Sequence, residues 1–368
     1  MTGEKHNMLW LELALTPEVQ PRFVTALVQY FKTIEEIFSA NHLSLGSNGK
    51  LPPGAAGAIV ARAGKKAAEE EAEKLHEHGI GLITFGSKIY PPSLREIHDP
   101  PPVMFMRGEM NEGDHFAVSV VGSRHCSAYG AQVAHRLAGD LAKRGITVIS
   151  GLANGIDQAA HNGALAAGGR TIAVLGSGLG NIYPRGSEKL VERIEQSGAV
   201  LSEFPYAVPP SKSTFPQRNR IVSGMSHATL VVEAGEKSGA LITARLTLEQ
   251  GHELLAVPGP IYSKKSLGSN YLIKTGAKLV QTVDDIIDEL PESVRAKLIT
   301  ATEQVADVEF SDEERSIMEV LSIDTPQHID IIAAHLGMST ADLSLLLLGL
   351  EMRAVVKQLP GMEFIKTV

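Results

Sequence analysis

The segment 212–220, KSTFPQRNR, concentrates side chains that could bind a polyanion. It holds three cations, Lys212, Arg218 and Arg220, around one aromatic ring, Phe215, and beside the amide of Asn219. Single-stranded nucleic acids are bound by such groups, because cations meet phosphates, a flat ring stacks an unpaired base and amides reach base edges. The segment also fits an ordinary helix start with Pro216 in its first turn. Taken alone, it leaves both interpretations open.

The two arginines of this segment cannot both face one ligand. Arg218 and Arg220 are two residues apart, so on a helix their side chains point about 200° from each other. We expect Arg218 to face the nucleic acid. Arg220 is then partly structural, paired with Glu203 or Glu233.

The charge distribution indicates where a polyanion could bind. The whole chain has a net charge of -8, but residues 116–290 carry 17 Lys and Arg against 14 Asp and Glu, net +3. Residues 1–115 carry net -4 and residues 291–368 net -7. Because salt screens charges beyond roughly 10 Å, a local basic groove can attract phosphates within an acidic chain. The middle of the chain is the expected place for such a site.

From residue 116 the sequence alternates between strand and helix patterns. The apolar runs AVSVV, TVISG, TIAVLG, AVLSE, ATLVVEA and ELLAVPG are each followed by glycine-rich or helical sequence. Continuous apolar strands that alternate with helices predict an α/β fold with a parallel sheet covered on both faces. Ligands of such sheets bind at the carboxyl ends of the strands, where the segments GSR, SGLANGID and EAGEKSG lie here.

Composition shifts divide the chain into four parts. Residues 1–108 have mainly helical patterning and residues 109–291 form the predicted α/β domain. A polar linker at 292–310 precedes a unit at 311–368, whose order of helix, helix, turn, helix and two short strands matches a winged helix.

The single cysteine and the lengths of the apolar runs indicate the cellular compartment of the protein. Cys126 is the single cysteine, which excludes an internal disulfide and a cysteine-based zinc site and fits a reducing compartment. No apolar run reaches the length of a membrane span, and Glu12 interrupts the apolar stretch near the N-terminus. We therefore expect a cytoplasmic protein with no membrane partner.

Six motifs in residues 118–273 resemble the DprA/Smf family of DNA-processing proteins. In family order they are VVGSRHCSAYG, ISGLANGIDQAAHNGAL, TIAVLGSGLGNIYP, TFPQRNRIVSG, VVEAGEKSGALITARLTLEQG and LAVPGPIYSKKSLGSNYLI. The resemblance implies an extended Rossmann-like core flanked by an N-terminal SAM-like helical domain and a C-terminal winged helix. It also implies a homodimer that binds and protects incoming single-stranded DNA during natural transformation. Such a protein helps to displace single-strand-binding protein and loads the RecA recombinase, without catalysis, cofactor or metal.

The same resemblance implies a set of DNA-binding residues. They are Gly122, Ser123, Arg124, Ser127, Tyr129, Lys212, Phe215, Arg218, Asn219, Arg220, Ser238 and Gly239. A glycine turn that feeds a helix leaves backbone N–H groups for a phosphate, and Arg124 adds a bidentate charged donor. Phe215 could stack a base for about 1–3 kcal/mol whatever the base.

The two outer domains depart from DNA-binding patterns. In the first, TPEVQP at 16–21 replaces the glycine hairpin that would let a backbone approach phosphate, so we do not expect DNA binding through that device. In the winged helix, the helix ADLSLLLLGLEM contains no Arg or Lys before Arg353. Because phosphates would repel this acidic unit, we expect it to contact proteins.

One alternative is a Rossmann-like nucleotide hydrolase. The glycines of LGSGLG follow a strand, but Tyr183 and Pro184 interrupt the position where the dinucleotide fingerprint requires a helix. Rossmann-like nucleotide hydrolases carry a PGGxGTxxE loop. This chain has EAGEKSGALITARLTLE there, which lacks the double glycine and the Thr–Glu spacing and therefore disfavours the hydrolase.

Two further alternatives are acid–base or metal chemistry, and a pure scaffold. Asp157 and His161 are one helical turn apart, and we interpret them as a packed polar pair that holds the SGLANGID turn. The intact GSR and FPQRNR motifs disfavour a scaffold with a vestigial groove.

Overall fold

The fold is known from a computed structural model, in which the chain divides into two compact units, Met1–Thr302 and Glu303–Val368. The structure describes residues 2–47, 49–296, 311–322, 326–352, 355–359 and 361–366. Most of the predicted linker, 297–310, lies outside these ranges.

The first unit begins with six helices. They are α1 (Thr2–Leu15), α2 (Val24–Phe31), α3 (Ile34–Ser39), α4 (His42–Ser47), α5 (Pro53–Val60) and α6 (Lys65–Glu77). Their apolar faces enclose a core that contains Trp10, Leu27 and Ile59. The buried carboxylate of Glu12 on α1 accepts two hydrogen bonds from the guanidinium of Arg62, both at 2.5 Å. This pair fixes α1 against the turn between α5 and α6.

A nine-stranded sheet forms the centre of the first unit. Its strands are β1 (Gly81–Thr84), β2 (Val103–Gly108), β3 (Ala117–Val121), β4 (Thr147–Ser150), β5 (Thr171–Val174), β6 (Ala199–Ser202), β7 (Ala228–Val231), β8 (Glu253–Ala256) and β9 (Lys278–Leu279). Their order is β1-β2-β6-β5-β4-β3-β7-β8-β9. All neighbours from β6 to β9 pair in parallel, so the predicted parallel α/β core is confirmed.

Strands β1 and β2 lie within residues 1–108, which the sequence predicts to be a separate, mainly helical domain. They pair antiparallel with each other, and β2 pairs antiparallel with β6, with Phe105 opposite Ser202. They therefore belong to the central sheet rather than to the helical region. A pairing between residues so far apart in sequence leaves no local signal.

Helices cover both faces of the sheet. They are α7 (Pro92–Glu96), α8 (Ala128–Lys143), α9 (Ile156–Ala166), α10 (Glu188–Ser197), α11 (Thr214–Gly224), α12 (Ala240–Glu249), α13 (Leu267–Lys274) and α14 (Val283–Asp288). Alternate residues of β3 enter different cores: Val118 and Val120 pack with α8 and α9, and Ala117 and Val121 with the core on the other face. This alternation is the period of a strand buried on both sides.

The strand order reverses direction beside β3. The chain runs from β3 to β4 on one side, whereas β7 pairs with the other side of β3. The loops after β3 and β7 therefore leave in opposite directions. The crevice between them, at the carboxyl ends of the strands, is the usual ligand site of an open α/β sheet.

Within its described residues, the second unit has three helices and a small sheet. They are α15 (Asp312–Val320), β10 (Gln327–His328), α16 (Ile329–Leu336), α17 (Thr340–Met352), β11 (Val356–Leu359) and β12 (Glu363–Lys366). The strands pair antiparallel in the order β10-β12-β11. Gly337 ends α16 in the left-handed conformation at φ 65°, which allows the sharp turn into α17. The predicted winged-helix order is confirmed.

Among the described residues, no single helix has the length and apolar composition needed to cross a membrane. Helices α16 and α17 satisfy both criteria only when they are taken together, and the chain bends by 109° between them.

Candidate nucleic-acid interface

A groove of about 600 Å³ lies at the carboxyl ends of β3, β4 and β7, beside the first turns of α11. Nine of the twelve predicted binding residues line it: Gly122, Ser123, Arg124, Lys212, Phe215, Arg218, Asn219, Ser238 and Gly239. The structure thus brings together residues from three separate segments of the sequence. It places Ser127, Tyr129 and Arg220 elsewhere.

The loop after β3 is held from two sides. The Ser123 N–H donates to the Glu233 carbonyl at 2.7 Å, and the Ser123 carbonyl accepts from the Ile156 N–H at 3.2 Å. A side chain at Gly122 would not fit, because its Cβ would lie 2.5 Å from Ile156 Cγ1. This bracing fixes the position from which Arg124 extends into the groove.

Arg124 and Phe215 form a cation–π pair, which we call the Arg124–Phe215 platform. The guanidinium carbon of Arg124 lies 4.9 Å from the centroid of the Phe215 ring, within cation–π range. The ring is half-buried and rests against Gly176, where a Cβ would come within 2.7 Å of it. Arg124 itself is exposed. Positive charge and a planar surface therefore meet at one place in the groove.

Two lysines and a helix start add positive potential. Lys212 and Lys237 are exposed and line the same groove as the platform. Helix α12 begins at the groove, with Ser238 and Gly239 immediately before its first residue. The amino-terminal end of a helix carries a partial positive charge and favours anions. The arrangement suits a ligand with several phosphates.

Arg218, which we expect to face the nucleic acid, lines the groove but is buried. It is only 4% exposed, and its Nη1 donates to the Gly151 carbonyl at 2.6 Å and to the Val174 carbonyl. Its Nε donates to Asn219 Oδ1 at 3.1 Å. Burial lowers its pKa to about 10, although the nearby Asp157 carboxylate opposes this effect. Arg218 therefore joins the ends of β4 and β5 and forms the floor of the groove.

Arg220 has the structural role that the sequence predicts. Its Nη2 donates to Glu203 at 2.5 Å, and its Nε lies 2.9 Å from the Asp99 carboxylate. The pairing with Glu203 is confirmed, but the alternative pairing with Glu233 is not found. The Glu233 carboxylate instead accepts from the backbone N–H of Ser127 at 3.0 Å and from its hydroxyl at 2.5 Å.

Ser127 and Tyr129 lie at the start of α8, outside the groove. The Ser127 hydroxyl caps the helix by accepting from the Gly130 N–H at 3.0 Å, while it donates to Glu233. Ser127 is thus engaged in positioning α8. Tyr129 is 53% exposed and lines a separate, smaller cleft with residues 258–260.

Asp157 and His161 form hydrogen bonds with different partners. The Asp157 carboxylate accepts from the N–H groups of Gly151 and Ala153, at 3.1 and 3.3 Å, so its predicted role in holding the turn is confirmed. Burial raises its pKa to about 6. His161 instead bonds through Nδ1 to the Thr171 hydroxyl at 2.7 Å, and burial lowers its pKa to about 3. In the part of the chain that the structure describes, no three potential metal-ligand side chains cluster.

A substitution of His161 tests whether burial lowers the pKa of this histidine. Because its folded pKa is depressed, the neutral ring contributes stability that is present above pH 6.5 and lost as pH falls toward 3. Between pH 7 and 5, wild type should lose about 2 kcal/mol more unfolding free energy than His161→Gln. Urea unfolding at both pH values measures this difference, with His76→Gln at an exposed position as the control. Equal losses in wild type and His161→Gln would contradict the assignment.

Three residues of the site are absent from the set predicted from the sequence. Lys237 and Asp157 line the groove, and Glu233 holds the loop that carries Arg124. Lys237 could have been found, since it is the only cation in the EAGEKSG segment that follows a predicted strand. The positioning role of Glu233 has no such signal, because Ser127, its partner, is 106 residues away.

Two family models and several known proteins are similar to this chain. The family model of DNA recombination-mediator protein A matches residues 81–291, and the model of the DprA winged helix domain matches residues 301–362. Protein Smf of Escherichia coli (strain K12) is 39% identical over 305 residues, which cover 81% of this chain and 80% of that protein.

Two solved structures are also similar. The X-ray structure of DNA processing protein A (DprA) from Streptococcus pneumoniae superposes with a TM-score of 0.67 at 31% identity, over 77% of this chain and 98% of that one. The structure of DNA processing protein A from Helicobacter pylori, described for its single-stranded DNA binding mode, gives a TM-score of 0.51 at 29% identity. That match covers 57% of this chain and 94% of the other. The chain belongs to the DprA/Smf family of DNA recombination-mediator proteins.

Proposed function

We propose that this chain binds single-stranded DNA in the groove at the carboxyl ends of β3, β4 and β7. The observation that carries the proposal is the Arg124–Phe215 platform, which lies in one groove with Lys212 and Lys237. The bound strand is protected, and RecA is loaded onto it during natural transformation. We propose no catalytic step, cofactor or metal.

The groove offers different groups to the two parts of a nucleotide. Phosphates can pair with the exposed cations and with the start of α12, and an unpaired base can stack on the platform. Stacking does not depend on base identity, because every base has a flat face. The bases of a duplex already stack on one another. Binding should therefore favour single strands without a strong sequence preference.

Asn219 provides a polar contact at the edge of this surface. Its Oδ1 accepts from Arg218 Nε at 3.1 Å, which orients the side-chain amide on the groove wall. Its Nδ2 group can then donate to a base edge or a phosphate. The buried Arg218 supports binding indirectly, by holding Asn219 and the strand ends in place.

We further propose a cytoplasmic homodimer formed through the Rossmann-like domain. Support comes from family membership and from exposed apolar side chains at the β9 end of the sheet, where Leu279 is 41% and Tyr271 is 63% exposed. The winged helix is proposed to contact proteins. Its helix α17 exposes Leu345 and Leu348 at 72% and 55%, on a unit with a net negative charge.

Recombinase loading can be tested on DNA coated with single-strand-binding protein. Adding this chain should shorten the lag before RecA begins to hydrolyse ATP on the coated strand, while Arg124→Ala should leave the lag long. A labelled strand should remain intact throughout, and should survive a nuclease longer when the chain is present. An unchanged lag in the presence of bound wild-type protein would contradict the loading role. Products released from the strand or from a nucleotide would favour the hydrolase alternative.

A further inference from the structure

The loop at 258–266, between β8 and α13, exposes unusual side chains. Its sequence is PGPIYSKKS, which we call the tyrosine–lysine loop. Tyr262 is 93% exposed and Ile261 is 73% exposed. Lys264 and Lys265 are exposed beside them, and the loop contains no acidic residue. Large apolar side chains presented to solvent next to cations indicate a binding surface.

The backbone of the tyrosine–lysine loop is well held. The Asn270 side chain makes two hydrogen bonds to Gly259, donating to its carbonyl and accepting from its N–H, both at 3.0 Å. The Ser263 N–H donates to the Pro260 carbonyl at 2.9 Å, and the Ser266 N–H donates to the Ser263 carbonyl at 3.0 Å. Two successive turns therefore fix the loop. The exposure of Tyr262 follows from a defined backbone and not from fraying.

The loop adjoins the proposed DNA groove. Gly235 lines that groove, and a Cβ on it would lie 3.1 Å from the carbonyl oxygen of Lys264. The Gly268 N–H, just beyond the loop, donates to the Ala234 carbonyl at 2.7 Å. On the other side, Lys265 opposes the rise in the pKa of Cys126 that burial causes. The tyrosine–lysine loop is thus in contact with the segments that form the groove wall.

Tyr129 lies beside the tyrosine–lysine loop. It lies five residues after Arg124, in the first turn of α8, and its ring lines a cleft of about 320 Å³ with residues 258–260. An exposed aromatic ring beside a wall of two prolines and a glycine is a suitable slot for a flat base. Tyr262 follows two residues beyond that wall.

We infer that a single strand leaving the central groove continues over this surface. Bases stack on Tyr129 and Tyr262, and the phosphates between them pair with Lys264 and Lys265. The inference rests on the proposed function, because it extends the same binding path. Continuity with the groove and the absence of acidic side chains from the loop favour a polyanion as the occupant over an acidic protein surface.

The extended path predicts an effect that depends on strand length. The double variant Tyr129→Ala/Tyr262→Ala should bind a long oligo-dT of about 20 nucleotides at least roughly thirtyfold more weakly than wild type, because two stacking contacts are lost. A short oligo-dT of about 6 nucleotides, which fills only the central groove, should bind both proteins equally. Tyr30→Ala removes a tyrosine of similar exposure, 52%, from α2 and is the matched control.

The conservative variant Tyr262→Trp gives a fluorescence signal that reports base stacking rather than a change in folding. Tyr262→Trp should bind the long strand as wild type does, and the new indole should lose fluorescence when a base stacks on it. The native Trp10 is 2% exposed and contributes a constant background.

The possible outcomes separate this inference from the function on which it rests. If wild type binds neither oligonucleotide, the proposed function fails. If wild type binds both, the inference is overturned when the double variant retains full affinity for the long strand and the indole signal does not change. Loss of the dimer in sedimentation, with unchanged DNA affinity, would instead assign the surface to self-association and also overturn the inference.

Discussion

The Arg218→Met variant is expected to lose about 3–5 kcal/mol of unfolding free energy at pH 7.5. Arg218 is buried, and its removal leaves two backbone carbonyls at the ends of β4 and β5 without their hydrogen-bond donor. It also leaves the buried Asp157 carboxylate without its neighbouring cation. Removing one partner of a buried charge pair costs more than the pair itself contributes, because the remaining charge stays desolvated. Urea unfolding followed by circular dichroism measures the loss.

The pH dependence of this loss identifies its cause. Burial already raises the pKa of Asp157 to about 6, and the pKa should rise further without Arg218. A raised carboxyl pKa costs stability at high pH, and this cost falls as pH drops from the folded pKa toward the unfolded value of 3.8. The difference between wild type and Arg218→Met should therefore shrink as pH falls from 7.5 to 5. Arg136→Met, at an exposed position on α8, should stay within about 0.5 kcal/mol of wild type. A loss that does not change with pH would contradict the role of Asp157.

The Arg124→Ala variant is expected to weaken binding of oligo-dT by about ten- to hundredfold at low salt, without loss of stability. Arg124 is exposed, and it supplies both a cation for a phosphate and the upper layer of the Arg124–Phe215 platform. The loss of one phosphate contact should also reduce the slope of log affinity against log salt by about 0.7. Fluorescence anisotropy over a series of salt concentrations measures both quantities.

The control for this variant is Arg136→Ala. It removes the same charge from the same protein, but from a site paired with Asp140 one helical turn away. It should leave both the affinity and the salt slope unchanged. Equal effects of the two variants would show that net charge, rather than the groove, determines binding.

The sequence was sufficient for the features that depend on local pattern. The run AVSVV is apolar at each position except Ser119, as expected of a strand buried on both sides, and it is strand β3. The GSR and EKSG segments follow strands that neighbour each other in the sheet, so their convergence with KSTFPQRNR at one groove followed from the fold. Most of the candidate site could be predicted in this way.

Features that depend on distant partners were not predictable. Helix geometry correctly separated Arg218 from Arg220, but it could not show that Arg218 is covered by carbonyl groups 67 and 44 residues away. The antiparallel pairing of β2 with β6, which moves residues 81–108 into the central sheet, is a second example. In both cases the determining contact lies in another part of the chain.

Selection of single-stranded DNA by the groove can be measured in one titration. Anisotropy of a labelled oligo-dT is measured with the wild-type chain at two salt concentrations, beside a matched duplex. We expect tight binding to the single strand that weakens steeply with salt, and much weaker binding to the duplex. If a folded protein does not bind at low salt, or binds the duplex with equal affinity, the groove does not select single strands.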